Sequence, residues 1–279
     1  MVYASVLENR AVIAVSGAEA RDFLQGLITN DMGACRAGQA IYAGLLTPQG
    51  KILFDFLVVA NGEKSWLIDC AGSRASDLVK RLTLYRLRAK LDIAGRPDLA
   101  VAAVWGASAT LEPAAGVTIF VDPRLSTLGF RMIGPRALLA AATAGFRPGD
   151  YEAHRLKLGV PDSDDLPSDQ VFALDAGFEE LMGVSFKKGC YVGQEVTARM
   201  KHRASARKRF LIADISGEIA FGTPLEAGGR ELGTLASAKD GHGLALVRLD
   251  RLEDAQGKQV PITAEGRQVV LRKPDWMKP

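Results

Sequence analysis

The chemistry of this chain concentrates between Phe186 and Arg209, which read FKKGCYVGQEVTARMKHRASARKR. Cys190 stands with Tyr191 and Val192 between Gly189 and Gly193. Glycine tolerates positive φ and close backbone approach, so the pair predicts a tight loop. From Gln194 onward, QEVTARMKH places Val196 and Met200 at helical spacing. Cys190 then sits in a loop that feeds a helix N-terminus. The partial positive charge there, with Lys187 and Lys188, favours the thiolate, which is the nucleophilic and redox-active form. Against this stands the plainer reading of a free cysteine as a small buried hydrophobe.

Six Lys or Arg and no acid follow between positions 199 and 209: Arg199, Lys201, Arg203, Arg207, Lys208 and Arg209. A solvated basic face and linker is the simple reading. A patch for an anionic ligand tail, a nucleic acid or an acidic protein is the functional one. No aromatic residue interleaves with these cations, so stacking on single-stranded nucleic acid is not expected, nor is direct tRNA binding. The three cysteines, Cys35, Cys70 and Cys190, are far apart, and His154, His202 and His242 are isolated. An odd, sparse set without a CxxC pair argues against a disulfide framework and fits a reducing compartment. It also provides no ligand spacing for a protein-held metal.

Other elements must position this loop. AVIAV (11–15) reads as a strand, and Ser16 to Glu19 fits a capping box before a helix through Phe23, Leu24 and Leu27. Three strand-like runs between Ile41 and Cys70, broken at Pro48-Gln49-Gly50 and Asn61-Gly62, predict an antiparallel meander. SDLVKRLTLYRLR is a helix, and LAVAAVWG and VTIFVDP are strands. PRALLAAATAG and YEAHRLKLG are helices with Pro135 at the start of the first and Gly159 stopping the second. The polar, Pro-rich GVPDSDDLPSD that follows is read as a loop. After about residue 204 only short strands with Gly-rich turns are expected, the pattern of a small β-barrel or sandwich. The predicted architecture is thus α+β for residues 1–203, possibly as two interleaved subdomains, and β-barrel for 204–279. A chain of 279 residues with 48% hydrophobic content and net charge +3 has an ordinary globular composition. No apolar run reaches the roughly 18 residues of a membrane span, and the first residues read as neither signal nor transit peptide, so a cytoplasmic location is the default.

Lys188-Gly189-Cys190-Tyr191-x-Gly193-Gln194-Glu195-x-x-Ala198-Arg199 resembles the signature of the YgfZ family. Asp22 to Gly26 with Thr29-Asn30-Asp31, Leu46 to Lys51, and Gly183 to Phe186 resemble further family segments, so the likeness spans most of the chain. It is closer to the family's iron–sulfur assembly branch. The resemblance implies a fold similar to the aminomethyltransferase (T-protein) of the glycine cleavage system, with a folate-binding body and a C-terminal β-barrel. It implies tetrahydrofolate or a derivative in a central opening of the body, with Cys190 nearby at the surface. It also implies partners among iron–sulfur assembly or client proteins, such as radical-SAM tRNA-modifying enzymes and lipoate synthase. By position, Tyr151 is a candidate to stack on the pterin, or else to cover the core. Arg10 stands where relatives carry a second folate-lining aromatic, and it is either a partner for a folate carboxylate or an exposed residue. T-proteins place an acid in an Arg-x-Glu-x-Gly segment, which here reads Arg155-Leu156-Lys157-Leu158-Gly159. Lysine cannot accept a hydrogen bond from the pterin, so an accessory factor is expected in preference to a folate-dependent transferase.

Overall fold

The computed structural model describes residues 1–279 apart from positions 108, 110, 113, 204–206, 216, 218 and 278–279. The chain opens with β1 (Tyr3–Val6), β2 (Arg10–Ser16) and α1 (Ala20–Leu27). The expected meander follows as β3 (Ile41–Leu46), β4 (Ile52–Ala60) and β5 (Ser65–Ala71), then α2 (Ala75–Arg86) and β6 (Asp92–Gly95). Next come β7 (Ala100–Trp105), β8 (Thr118–Val121), β9 (Phe130–Gly134), α3 (Arg136–Thr143), β10 (Arg147–Pro148) and α4 (Tyr151–Leu158). A long irregular segment leads to α5 (Gln194–His202). The last part holds β11 (Lys208–Ile215), β12 (Pro224–Ala227), β13 (Arg230–Lys239), β14 (His242–Arg248), α6 (Leu249–Gly257), β15 (Ile262–Ala264) and β16 (Arg267–Arg272).

Two five-stranded sheets, ordered β3-β4-β5-β2-β6 and β10-β1-β7-β9-β8, make the body, and β11-β14-β13-β12-β15-β16 close a barrel. The boundary expected at residue 204 lies outside the described residues. Strand alternation explains the layers. Along β4, Phe54, Phe56 and Val58 pack with Leu24, Leu78 and Leu82 of α1 and α2. Leu57 and Val59 point the other way, into a central core with Val101, Ala103, Trp105 and Ile133 of the second sheet. Both faces of β4 are therefore dry, which is why its sequence reads as one apolar run. Each fully buried Leu or Phe here is worth about 2 kcal/mol over an exposed one.

Two local expectations are corrected, and a third is sharpened. The capping box at Ser16 and Glu19 does not form: Ser16 still pairs within the sheet, opposite Ser65 and Asp92. Glu19 is the N-cap residue without a side-chain cap, and its carboxylate accepts the Lys90 N–H instead. The segment 159–169 is irregular apart from one short turn, as expected of a loop, but Asp162, Ser163 and Asp165 within it are buried. Asp162 and Asp165 close a capping box on a single turn of 3-10 helix, Ser163–Asp165. The barrel also contains a helix, α6, which buries only Leu252 and Ala255, too few apolar positions to register as a periodicity. Barrel and body are tied by Arg209, which pairs with Glu180 and donates to the Leu174 carbonyl at 3.2 Å. A second tie is the Trp276 indole, which donates to the Leu158 carbonyl at 3.0 Å.

Candidate functional site

The segment that ends at Cys190 is stitched to the turn after α1. The Thr29 hydroxyl donates to the Gly183 carbonyl at 2.6 Å and accepts the Gly44 N–H at 2.8 Å. Asn30 Nδ2 donates to the Met182 and Tyr42 carbonyls, and the Ser185 N–H donates to the Thr29 carbonyl. Lys188 then turns inward. Its ammonium donates to the carbonyls of Gln25 (2.6 Å), Ile28 (2.6 Å) and Asn30 (2.9 Å). Burial pulls the Lys188 ammonium down to about 8. The sequence-based expectation that Lys188 lends its charge to the Cys190 thiol is therefore corrected: that charge serves the C-terminal carbonyls of α1. Lys187 is exposed, as are Gly189 and Cys190.

On the other side of the thiol the chain is held by the β3–β4 hairpin. Tyr191 is buried, with the Lys188 ammonium 5.2 Å from its ring centre. Gly193 has φ +83° and caps α5, which starts at Gln194 as expected. A Cβ on Gly193 would lie 2.5 Å from the Thr47 carbonyl oxygen, and one on Gly50 would lie 3.1 Å from Val196. The Leu46–Lys51 turn and the Cys190 loop are thus packed backbone against backbone, which neither motif reveals alone. Glu195 and Arg199 form an exposed pair one helical turn apart at 2.7 Å. Of the basic stretch, Lys201 pairs with Glu179 and Arg209 with Glu180, so half of its six cations have acidic partners within the body.

A second constellation lies between the sheets. Asp69 on β5 and Arg131 on β9 face one another across the central core, 3.3 Å apart. Arg10 bonds Asp69 (2.6 Å) and Asp162 (2.8 Å). Asp122 accepts two bonds from the Arg124 guanidinium, a third from the Arg124 backbone N–H, and one from Arg131. The Tyr151 hydroxyl accepts from Arg131 at 3.1 Å, and the Arg131 guanidinium lies 4.8 Å from the centre of the Tyr151 ring. Asp55 accepts from the Ser163 and Tyr42 hydroxyls. Desolvation opposes every charge here, but the arginines win for Asp122 and Asp162 and hold both carboxyls below the usual range. Asp55 touches only hydroxyls, and burial and the charge of Asp162 push it up.

Two cavities open against this network. One, about 630 Å³, is lined by Glu8, Arg10, Pro148, Tyr151, Glu152 and Asp162, among others. The other, about 640 Å³, is lined by Asn30, Tyr42, Val121, Asp122 and Met182, among others. The structure brings Arg10 and Tyr151 to the same cavity. Tyr151 is a buried wall residue, with its ring against Arg131 and edge-on to Trp105 at 5.5 Å. Arg10 is not exposed; three of its donors are engaged by Asp69 and Asp162. Lys157 is exposed, outside the residues that line either cavity. The sequence reading missed Asp55, Asp69, Asp122, Arg124, Arg131 and Asp162. One signal was available: LFDFLVV, WLIDCA and FRMIG each carry a charge inside an apolar strand, and a buried charge requires a partner.

Residues 7–114 match the GCVT N-terminal domain and residues 207–279 match the CAF17 C-terminal beta-barrel domain. The chain is similar to the human mitochondrial iron-sulfur cluster assembly factor IBA57, with 34% identity over 97% of this chain and 84% of that protein. The mouse protein of the same name is 32% identical over the same shares, and the homolog from Mycosarcoma maydis is 34% identical over 77% of this chain and 57% of its own. The fold matches the glycine cleavage system aminomethyltransferase T from Bartonella henselae at TM-score 0.77 and 16% identity, over 99% of this chain and 86% of that one. With this identity over nearly its whole length, and the two domains in this order, the chain belongs to the IBA57 family of iron–sulfur cluster assembly factors.

Proposed function

We propose that this protein is an accessory factor for the assembly or repair of [4Fe–4S] clusters, acting through Cys190. The observation that carries this reading is the contrast among its thiols. Cys190 is exposed on a loop pinned at both ends, whereas Cys35 and Cys70 are buried. Burial pushes those two thiols up to about 11 and about 12, away from reactivity. A cluster is commonly held by about four thiolates, so one exposed thiol works together with a client or assembly protein. The likeness to the YgfZ signature points to radical-SAM tRNA-modifying enzymes and lipoate synthase as clients. The site of action is a reducing compartment, either a cytoplasm or a mitochondrial matrix. In a deletion strain, wild type should restore several iron–sulfur enzymes and Cys190→Ala should restore none. The melting temperature should barely move, because an exposed substitution costs within about 0.5 kcal/mol. Full complementation by Cys190→Ala, or a melt many degrees lower, would make Cys190 a packing residue and overturn the proposal.

The same reading includes a reduced folate in the body, and the residues present fit its pterin end. The cavity at Tyr151 is within the size range of small-molecule sites, and its wall carries Asp162, a carboxylate kept ionised by Arg10. Such a carboxylate suits the N–H donors of a pterin, while Tyr151 and Pro148 provide flat apolar wall. Bound there, a reduced folate supplies the nitrogens that carry one-carbon units. Tetrahydrofolate should bind the purified protein in calorimetry, with no aminomethyl transfer from a loaded carrier protein. No binding at millimolar ligand would remove the folate from this reading. Robust transfer would favour a transferase.

A further inference from the structure

Helix α1 has no basic residue in its last turn, although its terminal carbonyls carry partial negative charge. The missing cation comes from Lys188, which is buried, 160 residues downstream of Ile28, and two residues before Cys190. A lysine ammonium has three N–H donors, and here each has a carbonyl: Gln25, Ile28 and Asn30. Those carbonyls belong to the last turn of α1 and the turn after it, the same segment whose Thr29 and Asn30 side chains hold Gly183 and Met182. Beyond Lys188 the backbone is next held at Tyr191, whose carbonyl accepts the Gln194 N–H at 3.2 Å, and at Gly193, seated on the Thr47–Gly50 turn. Between Lys188 and Gly193, Tyr191 is buried and Val192 half-buried against the core, and Gly189 and Cys190 are exposed.

We infer that Lys188 is the positioning residue for Cys190: its ammonium, locked into the carbonyl cage at the end of α1, fixes one end of the thiol loop so that the sulfur is presented at a set place beside the β3–β4 hairpin. The inference rests on the proposed role of Cys190 in cluster handling. A cluster ligand shared with a partner needs its sulfur at a set position, since small displacements of a reacting group carry large penalties. Lys188 acts through the backbone of Gly189 and touches no cargo itself. Its charge alone does not suffice. Arginine keeps the charge but is a planar fork, and cannot aim three donors at carbonyls gathered round one point.

The test uses the full chain. Cys190 is the one exposed cysteine of the three, so a thiosulfonate nitroxide labels it selectively, and the label's line shape reports loop motion on the nanosecond scale. Wild type should give a restrained spectrum. Lys188→Met, which matches the length of the stem without its charge, should give a mobile one. In the deletion strain the unlabelled variant should lose support of iron–sulfur enzymes to the level of Cys190→Ala while near-ultraviolet circular dichroism shows a folded body. Lys188→Arg should fail in the same two assays. It also replaces Lys188→Met if that variant is recovered unfolded. An unchanged line shape in the variants, full complementation by either, or rescue by arginine overturns the inference. Complementation by Cys190→Ala sinks the underlying functional reading instead, and leaves the spin-label result standing as a statement about the loop.

Discussion

Arg131→Met is expected to destabilise the body by about 3 kcal/mol at neutral pH, because removing one partner of a buried ion network leaves the other charges uncompensated. Arg131 is 1% exposed and reaches Asp69, Asp122 and the Tyr151 hydroxyl. Methionine fills the volume of the stem, so cavity formation contributes little, and the loss measures the network. The acids do not become wholly unpaired. Asp69 keeps Arg10 and Asp122 keeps Arg124, which holds the cost near the lower end of the usual 3–5 kcal/mol range. The measurement is the urea midpoint followed by tryptophan fluorescence, since Trp105 packs edge-on against Tyr151. A shift equivalent to less than about 0.5 kcal/mol, the size of an ordinary surface change, would show that the two sheets are not joined through this residue.

The pH dependence has a definite sign. The Asp122 carboxyl is held below its ordinary value by Arg124 and Arg131, against the desolvation that would raise it. A lowered carboxyl contributes stability above its unfolded value of about 4 and loses it as pH falls through the folded value. Arg131→Met removes part of that contribution. The gap between wild type and variant should therefore be full at pH 7 and narrow below about pH 4. A gap that widened on acidification would mean that the arginine is not what lowers Asp122.

The residues of this network explain how far the sequence could be read. Strands, helices and the closed end domain follow from local pattern, because β4 alternates between two dry faces and α1 presents Leu24 and Leu27 to one side. The loop with Cys190 and the start of α5 follow from glycines and spacing. Pairing across the core does not. Asp69 and Arg131 are 62 residues apart and lie on different sheets, and no local spacing connects them. Asp162 stands in the polar segment read as a loop, and nothing local shows that it is buried against Arg10 from the other end of the body. Lys188 illustrates the same limit at the site itself. Chain proximity to Cys190 suggested a shared electrostatic role, whereas the side chain turns away to carbonyls contributed by α1.

Gly189 and Gly193 read alike in the sequence, each a glycine beside the thiol segment, but their substitution should differ sharply. Gly193→Ala is expected to unseat the loop, with loss of support for iron–sulfur enzymes although Cys190 is intact. Two costs coincide. At φ +83° any other L-residue pays about 1–2 kcal/mol. The new Cβ would also stand 2.5 Å from the Thr47 carbonyl oxygen and 3.0 Å from the Leu46 side chain, inside contact distance of two buried residues. That oxygen is backbone and also accepts the Gly50 N–H, so it cannot move away without opening the turn. The strain is relieved most easily by lifting the Cys190 loop and the first turn of α5. Gly189 has open space around the equivalent position and no positive φ, so Gly189→Ala should leave the melting temperature within the range of a surface change. Limited proteolysis of the two variants decides the matter: early cleavage between residues 186 and 203 is expected for Gly193→Ala alone. Equal resistance in both variants, with equal melting temperatures, would mean that the close approach of loop and hairpin does not hold the thiol segment in place.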